Sequence, residues 1–238
     1  MRVVISIGGS VLAPDLDADR VAGHGAAVEA LVEAGCEVGA VVGGGGVARE
    51  YIGTARRLGA NEVQLDQFGI DVTRINARLL IAALDGLSAP SPAHDYEEAG
   101  EALRRGDVPV MGGVMPGQTT DAVAAALAEY VDADLLVYAT SVDGVFNADP
   151  DTDPEAERHG RLTGAELVDL IAPMSRGAGA SAPVDLLAAK LIERSKMRTI
   201  VLDGTDPERI EAAVLRGEHT GTDVVPEGCT ENPDGWSR

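Results

Sequence analysis

The chain contains 238 residues, of which 45% are hydrophobic, and its 39 acidic and 19 basic side chains give a formal net charge of −20. This length and apolar fraction suit one or two folded domains and exclude a wholly disordered chain. The acidic excess repels nucleic-acid phosphate and anionic lipid, so neither nucleic acid nor a membrane surface is an expected partner. No apolar run approaches the roughly 20 residues of a membrane span, and the first residues read as a strand rather than a signal peptide.

The charged residues have an unusual composition, because only Lys190 and Lys196 are lysines and the other 17 basic residues are arginines. The acidic residues are spread along the whole chain rather than collected in one block. Such a shell suits a protein dissolved in concentrated salt, where the Debye length falls to about 3 Å at 1 M. We therefore interpret the composition as halophilic adaptation to a high-salt cytoplasm, with an ordinary acidic bias as the alternative.

Cysteine and histidine are too scattered to predict a metal centre. Cys36 and Cys229 are far apart, no CxxC pair occurs, and the four histidines are dispersed. These spacings argue against a structural zinc site. Two unclustered thiols suit a reducing cytosol, so the sequence predicts a cytoplasmic protein.

Apolar runs alternate with helical patterns through the first half of the chain, which is typical of an α/β fold. In chain order we predict a strand Val3–Ile7, a helix Asp19–Glu33, a strand Val38–Val42, helices Val47–Arg57, Gly69–Leu84 and Tyr96–Arg105, and a strand Val108–Met111.

The second half repeats this alternation. We predict a helix Asp121–Tyr130, a strand Leu135–Ala139, a polar loop Ser141–Arg161, helices Gly164–Ile171 and Asp185–Ser195, a strand Thr199–Leu202, a helix Pro207–Leu215 and an edge strand Thr222–Val225. The strands are short, apolar and free of period-2 alternation, which indicates a mostly parallel sheet covered by helices on both faces. No composition break marks a linker, so residues 1–226 are predicted to form one domain and residues 227–238 a disordered tail.

Four predicted strands end in unusual loops, three of them rich in glycine. The loops are Gly8–Ser10, Gly43–Gly46, Gly112–Thr120 and Thr140–Asp149. Ligands of open parallel sheets bind at the carboxyl ends of the strands. Glycine lets backbone N–H groups approach an anion, and a following helix N-terminus favours negative charge. Together the loops predict a ligand with several phosphates lying across one edge of the sheet.

A dinucleotide-binding site is the weaker interpretation of the second loop. Gly43, Gly45 and Ala48 match G-x-G-x-x-A, and Glu62 or Asp66 lies at a tolerable distance. That pattern leaves the other glycine loops unexplained. The phosphate-loop signature GxxxxGK[ST] is absent from the sequence.

The order and spacing of six segments resemble the amino acid kinase family, and more closely its archaeal-type uridylate (UMP) kinases. The segments are IGGSV at Ile7–Val11, VVGGGGVAREYI at Val41–Ile52, LDQFGIDVTRINARLL at Leu65–Leu80, PVMGGVMPGQTTDAVAA at Pro109–Ala125, TSVDGVFNADP at Thr140–Pro150 and DLLAAKLIERS at Asp185–Ser195. The resemblance implies a three-layer α/β sandwich around a largely parallel eight-stranded sheet. It also implies Mg²⁺-dependent phosphoryl transfer from ATP to UMP in pyrimidine biosynthesis, by a homohexamer.

The resemblance further implies site residues, with the UMP side in the N-terminal part and the ATP side in the C-terminal part. ATP would contact Gly9, Ser10, Gly45, Arg49, Thr140, Phe146 and Asp149, and UMP would contact Gly44, Asp66, Val114, Met115, Pro116, Gly117, Gln118, Thr119 and Thr120. Arg49 and Asp121 are the implied catalytic residues, Arg49 through charge-assisted contacts to phosphate and Asp121 near the UMP phosphate. No residue is assigned to the metal.

Several of these residues have simpler interpretations. Asp121 follows two threonines at the head of a helix, and Asp66 precedes a predicted helix, so either carboxylate suits a helix cap. Phe146 is one of two phenylalanines and suits a core position.

One position departs from the family pattern. Many members carry a lysine in the first strand motif, whereas this chain has Ser6, which cannot supply positive charge. Magnesium, Arg49 and Lys190 are the candidates to neutralise the transferring phosphoryl group. The departure keeps two alternatives open, which are a kinase for another small acceptor (an amino acid or carbamate) and a non-catalytic protein that binds a nucleotide or oxyanion.

Overall fold

Short apolar strands buried on both faces form the middle layer of the molecule, as the sequence predicts. The computed structural model describes residues 1–150, 152–174 and 184–229. Its strands are β1 (Arg2–Ile7), β2 (Glu37–Val42), β3 (Val110–Met111), β4 (Leu135–Thr140), β5 (Arg161–Thr163), β6 (Thr199–Asp203) and β7 (Thr222–Val225). Its helices are α1 (Gly9–Leu12), α2 (Ala18–Glu33), α3 (Gly45–Arg57), α4 (Glu62–Ala83), α5 (Tyr96–Arg105), α6 (Thr120–Tyr130), α7 (Gly164–Met174), α8 (Leu186–Ser195) and α9 (Glu208–Arg216).

The described strands form one sheet in the order β3-β2-β1-β4-β6-β7-β5. Neighbouring strands are parallel except β6 and β7, which are antiparallel. The mostly parallel sheet is therefore confirmed, with seven strands in the described residues where the family resemblance implies eight. Because β2 and β4 flank β1, the connections after these strands leave in opposite directions and open a crevice at their carboxyl ends.

The sheet separates two apolar layers. On β1, Val3, Ile5 and Ile7 pack into the layer that also contains residues of α2, α4 and α9. Val4 points into the opposite layer, which is formed with α5, α6, α7 and α8. Helices on both faces of the sheet thus confirm the three-layer α/β architecture.

Helix α4 begins at Glu62, seven residues earlier than the predicted start at Gly69. The reason is a capping box, in which the Asn61 side chain accepts a hydrogen bond from the Gln64 N–H and the Gln64 side chain accepts one from the Asn61 N–H. Two N–H groups that would otherwise lack partners are satisfied, so the first turns form without apolar periodicity.

The prediction that Thr222–Val225 is an edge strand is wrong. Strand β7 lies between β6 and β5, and the three-residue β5, which falls partly in the predicted polar loop, forms the edge. Arg161 of β5 is in register with Asp223 of β7, and the Arg198 guanidinium lies 3.6 Å from the Asp223 carboxylate. Burial raises the pKa of Asp223, but the hydrogen bond and charge of His219, followed by the charges of Arg198 and Arg161, lower it below its usual value.

Two further predictions concern the C-terminal tail and membrane-spanning helices. Most of the tail predicted for residues 227–238 lies outside the described residues, which end at residue 229. No helix of the described ranges is long and apolar enough to cross a membrane.

Candidate active site

A cavity of about 490 Å³ opens at the carboxyl ends of β1, β2 and β4. Residues of all four predicted loops line it, the loop Gly112–Thr120 only through Thr120, because parallel strands end at the same edge of the sheet. The predicted site residues that line this cleft are Gly9, Ser10, Gly44, Gly45, Arg49, Thr120, Asp121, Thr140, Phe146 and Asp149.

Glycines after β1 and β2 form one wall of the cleft by close backbone packing. A Cβ atom added to Gly9 would lie 2.4 Å from the carbonyl oxygen of Gly43, and Gly45 has a φ of 63°. Neither position accepts a side chain without displacing backbone. Since α3 begins at Gly45 and no side chain of the described residues caps it, this N-terminus presents N–H groups suited to an anion.

Arg49 contributes the positive charge of the cleft. It lies one turn into α3, is exposed, and its Nη2 donates a hydrogen bond to Ser10 Oγ over 3.2 Å. Among the described residues that line the cavity, Arg49 is the one basic side chain. Lys190 is not part of this lining, and its ammonium group forms an exposed ion pair with Glu193 at 3.0 Å.

Asp121 lies at the base of the cleft and does not cap α6. The cap is Thr119, whose Oγ1 accepts a hydrogen bond from the Ala122 N–H over 3.1 Å, so the capping interpretation of Asp121 is wrong. The Asp121 carboxylate instead accepts a hydrogen bond from Ser6 Oγ over 3.3 Å. Desolvation and the negative charge of Asp185 raise the pKa of Asp121 to about 7, against the lowering effect of the Ser6 hydrogen bond.

Three residues surround Asp121, and of these the sequence singles out only Ser6, as the position of the missing lysine. Ser6 occupies the position of the missing lysine and contacts Asp121, and the buried Tyr138 hydroxyl donates to the Asp121 carbonyl oxygen over 2.8 Å. Asp185 caps α8 by accepting hydrogen bonds from the N–H groups of its first turn, and it also accepts one from the Thr119 hydroxyl. Asp185 heads the segment DLLAAK, but on the sequence alone it reads as an ordinary helix cap.

The loop predicted to wrap UMP is attached to α4 beside the cleft. Asp66 Oδ2 accepts a hydrogen bond from the Gly117 N–H over 2.8 Å, and Gln118 Nε2 donates to the Tyr96 hydroxyl over 2.8 Å. The residues that lie outside the cavity lining are Asp66, Val114, Met115, Pro116, Gly117, Gln118 and Thr119. Asp66 is inside α4, four residues after its start, so the capping interpretation of Asp66 is also wrong.

The loop after β4 forms the opposite wall. Thr140 Oγ1 donates to the Val142 carbonyl oxygen over 3.0 Å and accepts from the Val142 N–H over 3.1 Å, which fixes the start of this loop. Phe146 is half-buried and lines the cleft together with Asp149, so it is not a core aromatic residue. The cleft therefore joins a wall of glycine backbone, with helix N–H groups that no described side chain caps, to an open wall that contains the ring of Phe146.

This arrangement of fold and cleft defines a class of phosphotransferases, and the chain belongs to the amino acid kinase family, whose sequence profile matches residues 1–203. Its relatives in that family include a uridylate kinase of Haloquadratum walsbyi, which is 72% identical over 99% of this chain and 98% of its own. A uridylate kinase of Halobacterium salinarum is 70% identical over 100% of this chain and 98% of its own. The crystal structure of uridylate kinase from Archaeoglobus fulgidus superposes with a TM-score of 0.85 at 45% identity, covering 94% of this chain and 100% of that one.

Proposed function

We propose that this protein is a UMP kinase that transfers the terminal phosphoryl group of ATP to UMP, giving ADP and UDP for pyrimidine nucleotide biosynthesis. The observation that carries the proposal is the single cleft that joins the glycine cradle of Gly9 and Gly43–Gly45 to the loop after β4. Uridylate kinases that align with the whole chain support the choice of acceptor. We also place the enzyme in the cytoplasm, which suits its two scattered thiols.

Phosphoryl transfer needs positioning and charge neutralisation more than covalent help. In this proposal the N–H groups of Gly44 and Gly45 hold the phosphates between the two substrates. Arg49 adds charge-assisted hydrogen bonds, and Asp66 with the attached loop 114–120 holds the nucleoside of UMP. Thr140, Phe146 and Asp149 receive the nucleoside of ATP. The cleft is thus locally suited to polyanions although the whole chain has a charge of −20.

Mg²⁺ bound with ATP is part of the proposal, and the carboxylates of the cleft fit it. Magnesium in such enzymes is held by one or two carboxylates together with phosphate oxygens and water. Among the described residues, Asp121 and Asp149 are the carboxylates that line the cleft, and Asp121 lies at its base, so Asp121 would hold the ion. Within the described ranges no three acidic, histidine or cysteine side chains form a complete metal cage, which suits an ion that arrives with its nucleotide. When bound, the ion neutralises phosphate charge.

The test is an acceptor screen in which ADP release is measured with ATP, Mg²⁺ and a panel of acceptors. UMP is expected to react, with UDP as the product. Turnover of aspartate, glutamate or carbamate in place of UMP would identify a kinase for another acceptor. Binding of ATP and UMP without formation of UDP would instead favour the non-catalytic alternative.

Salt is expected to raise the activity of this enzyme. The acidic surface repels both substrates and neighbouring subunits, and this repulsion weakens as the Debye length shortens. Between about 0.1 M and 2 M KCl, kcat/KM for UMP should therefore increase. Highest activity in the dilute buffer would contradict the high-salt interpretation of the composition.

We propose in addition that copies of the chain assemble into a homohexamer through an apolar surface on α3 and α4. Tyr51 of α3 and Leu58, the C-cap of that helix, are 56% and 84% exposed, and Phe68 and Ile75 of α4 are 41% and 59% exposed. Each pair is seven residues apart and so shares one side of its helix. A second copy of the chain is the occupant that explains why four large apolar side chains lie on adjacent helices of so acidic a protein.

Replacement of Ile75 by Asp should disrupt this assembly, because it would bury a charge in the proposed contact. Light scattering at high salt should give about six times the chain mass of 24.5 kDa for the wild-type protein and a smaller particle for Ile75→Asp. Leu187→Asp is the matched control, since Leu187 is 47% exposed on α8 in the opposite layer. An unchanged mass for Ile75→Asp would reject the α3–α4 surface.

A further inference from the structure

One buried amide side chain donates hydrogen bonds to the backbone of the glycine cradle. Asn76 of α4 is 2% exposed, and its Nδ2 donates hydrogen bonds to the carbonyl oxygens of Gly43 over 2.9 Å and Gly44 over 3.2 Å. Two carbonyl acceptors can only be met by the NH₂ end of the amide, which determines how the side chain is oriented. Asn76 therefore uses both of its donors on the loop that forms the phosphate cradle.

These two hydrogen bonds determine where the cradle N–H groups point. A trans peptide is planar, and its C=O and N–H bonds point in opposite directions. Holding the Gly43 carbonyl turns the Gly44 N–H away from Asn76, and holding the Gly44 carbonyl does the same for the Gly45 N–H. The preceding peptide is also held, because the Gly43 N–H donates to the Ile7 carbonyl oxygen over 2.9 Å.

Asn76 restrains the peptide planes that follow Gly43 and Gly44, which would rotate more freely without it. Gly43, Gly44 and Gly45 are consecutive glycines, whose backbone is the least restricted of any residue. Without Asn76 the Gly43 carbonyl oxygen would lose a buried donor, and the Gly44 carbonyl oxygen would keep the hydrogen bond from the Ala48 N–H over 3.3 Å. The lost donors cost free energy and favour rotation of these peptide planes. A preorganised donor is worth more in catalysis than one that must reorient during the reaction.

Helix α4 also holds the segment that leads into the loop proposed to bind UMP. Thr73 Oγ1 accepts a hydrogen bond from the Gly113 N–H over 2.7 Å, and Arg74 Nε donates to the Gly113 carbonyl oxygen over 3.1 Å. Helix α4 is thus attached within four residues to the cradle and to Gly113, the residue directly before the loop 114–120. A rigid helix with both attachments sets the distance between the phosphate cradle and the acceptor loop.

We propose that Asn76 is a positioning residue for phosphoryl transfer, which orients the N–H groups of Gly44 and Gly45 into the cleft from behind. It touches neither substrate and acts through the peptide planes of the cradle. The inference rests on the proposed UMP kinase function, because it needs a phosphoryl group passing over the cradle.

The test compares Asn76→Ala with Asn61→Ala, which removes the capping box of the same helix and leaves the cradle untouched. Both variants should lower the melting temperature. At a temperature where each is folded by circular dichroism, Asn76→Ala should lose 10- to 100-fold in kcat for UDP formation. Its KM values for ATP and UMP should stay within about threefold, because the oriented donors act mainly on charge that develops in the transition state. Asn61→Ala should keep its kcat within about twofold of the wild-type protein.

A kcat for Asn76→Ala within threefold of the wild-type value would overturn the inference, since a merely structural side chain would affect stability alone. If this variant does not fold, nuclear magnetic resonance of the wild-type protein tests whether the Gly44 and Gly45 N–H groups face the substrates. The amide signals of Gly44 and Gly45 should shift when a non-hydrolysable ATP analogue and UMP are added, and unshifted signals would overturn the inference. Failure of the wild-type protein to phosphorylate UMP would reject the proposed function instead, while the shifts caused by the ATP analogue alone would still test the orientation of the cradle.

Discussion

Replacement of Asp121 by Asn should lower kcat for UDP formation by two or more orders of magnitude and should stabilise the protein at pH 8. The activity falls because an amide cannot replace a carboxylate beside the phosphates and Mg²⁺, and a 100-fold loss corresponds to about 2.7 kcal/mol of transition-state stabilisation. The stability rises because the charge that burial and Asp185 oppose is removed from the base of the cleft.

The sign of the stability change follows from proton linkage. The pKa of Asp121 is about 7 in the folded protein, whereas an unfolded aspartate has a pKa of about 4. Between these values the folded state binds more protons, so stability contributed by this group is lost as pH rises from about 4 to about 7. Asp121→Asn lacks this loss and should exceed the wild-type free energy of unfolding at pH 8 by on the order of 4 kcal/mol.

Denaturant unfolding at pH 4 and pH 8 measures this difference, and Asp169→Asn is the matched control. Asp169 is an exposed residue of α7, so its replacement makes the same charge change away from the cleft. The control should stay within about 0.5 kcal/mol of the wild-type protein at both pH values. Equal stability of Asp121→Asn and the wild-type protein at pH 8 would contradict the raised pKa.

The pH profile of the wild-type enzyme gives an independent measurement on the same residue. The value of kcat/KM, which reports the free enzyme, should decline as pH falls through about 7, because Asp121 becomes protonated. Ser6→Ala removes the hydrogen bond that lowers the pKa of Asp121, so its profile should move to higher pH. A profile that moves to lower pH would show that Ser6 does not stabilise the Asp121 carboxylate.

The second large effect is expected at Arg49. Arg49→Gln should reduce kcat/KM for UMP by about 10- to 100-fold, because a hydrogen bond to a charged group contributes about 1.5–3 kcal/mol. Arg49→Lys should recover part of this loss, since lysine keeps the charge but not the planar arrangement of donors.

Arg57→Gln provides the matched control for Arg49. Both arginines lie on α3 and are exposed, but Arg57 donates to Thr54 Oγ1 over 3.2 Å at the far end of the helix and does not line the cleft. Equal losses in the two variants would mean that net charge, rather than contact with phosphate, controls the rate. Steady-state kinetics with UMP at fixed ATP and high salt separates the two explanations.

Patterns that depend on neighbouring residues were readable from the sequence. Alternating strands and helices predicted the mostly parallel sheet, and glycine loops after strand ends predicted which edge holds the ligand. The start of α4 was also encoded locally, in the capping box of Asn61 and Gln64, but apolar periodicity alone placed it at Gly69. Apolar periodicity indicates which part of a helix is buried, whereas a capping box indicates where the helix begins, so the two signals give different starts.

Contacts between distant segments were not readable in the same way. Asp185 and Asp121 are 64 residues apart, and Asp185 reads as an ordinary cap until α6 and α8 pack side by side. Asn76 reads as one polar residue on a helix until α4 brings its amide beneath Gly43, 33 residues earlier. The sequence shows only that position 6 lacks the lysine of the family pattern. The structure adds that Ser6 Oγ donates a hydrogen bond to the Asp121 carboxylate over 3.3 Å.

The sequence by itself determined the composition, the acidic shell, the fold class and the strand ends where phosphate could bind, because each depends on residue type or local pattern. Only the tertiary structure decided that Arg49 is the one arginine among the described residues of the cleft, that a raised pKa belongs to Asp121, and that a single helix holds the cradle and the acceptor loop. The physical reason is that desolvation, like-charge repulsion and peptide orientation depend on what surrounds a group in space. The chain has a net charge of −20, but the few groups that line the cleft, rather than this net charge, make the cleft suitable for two polyanionic substrates.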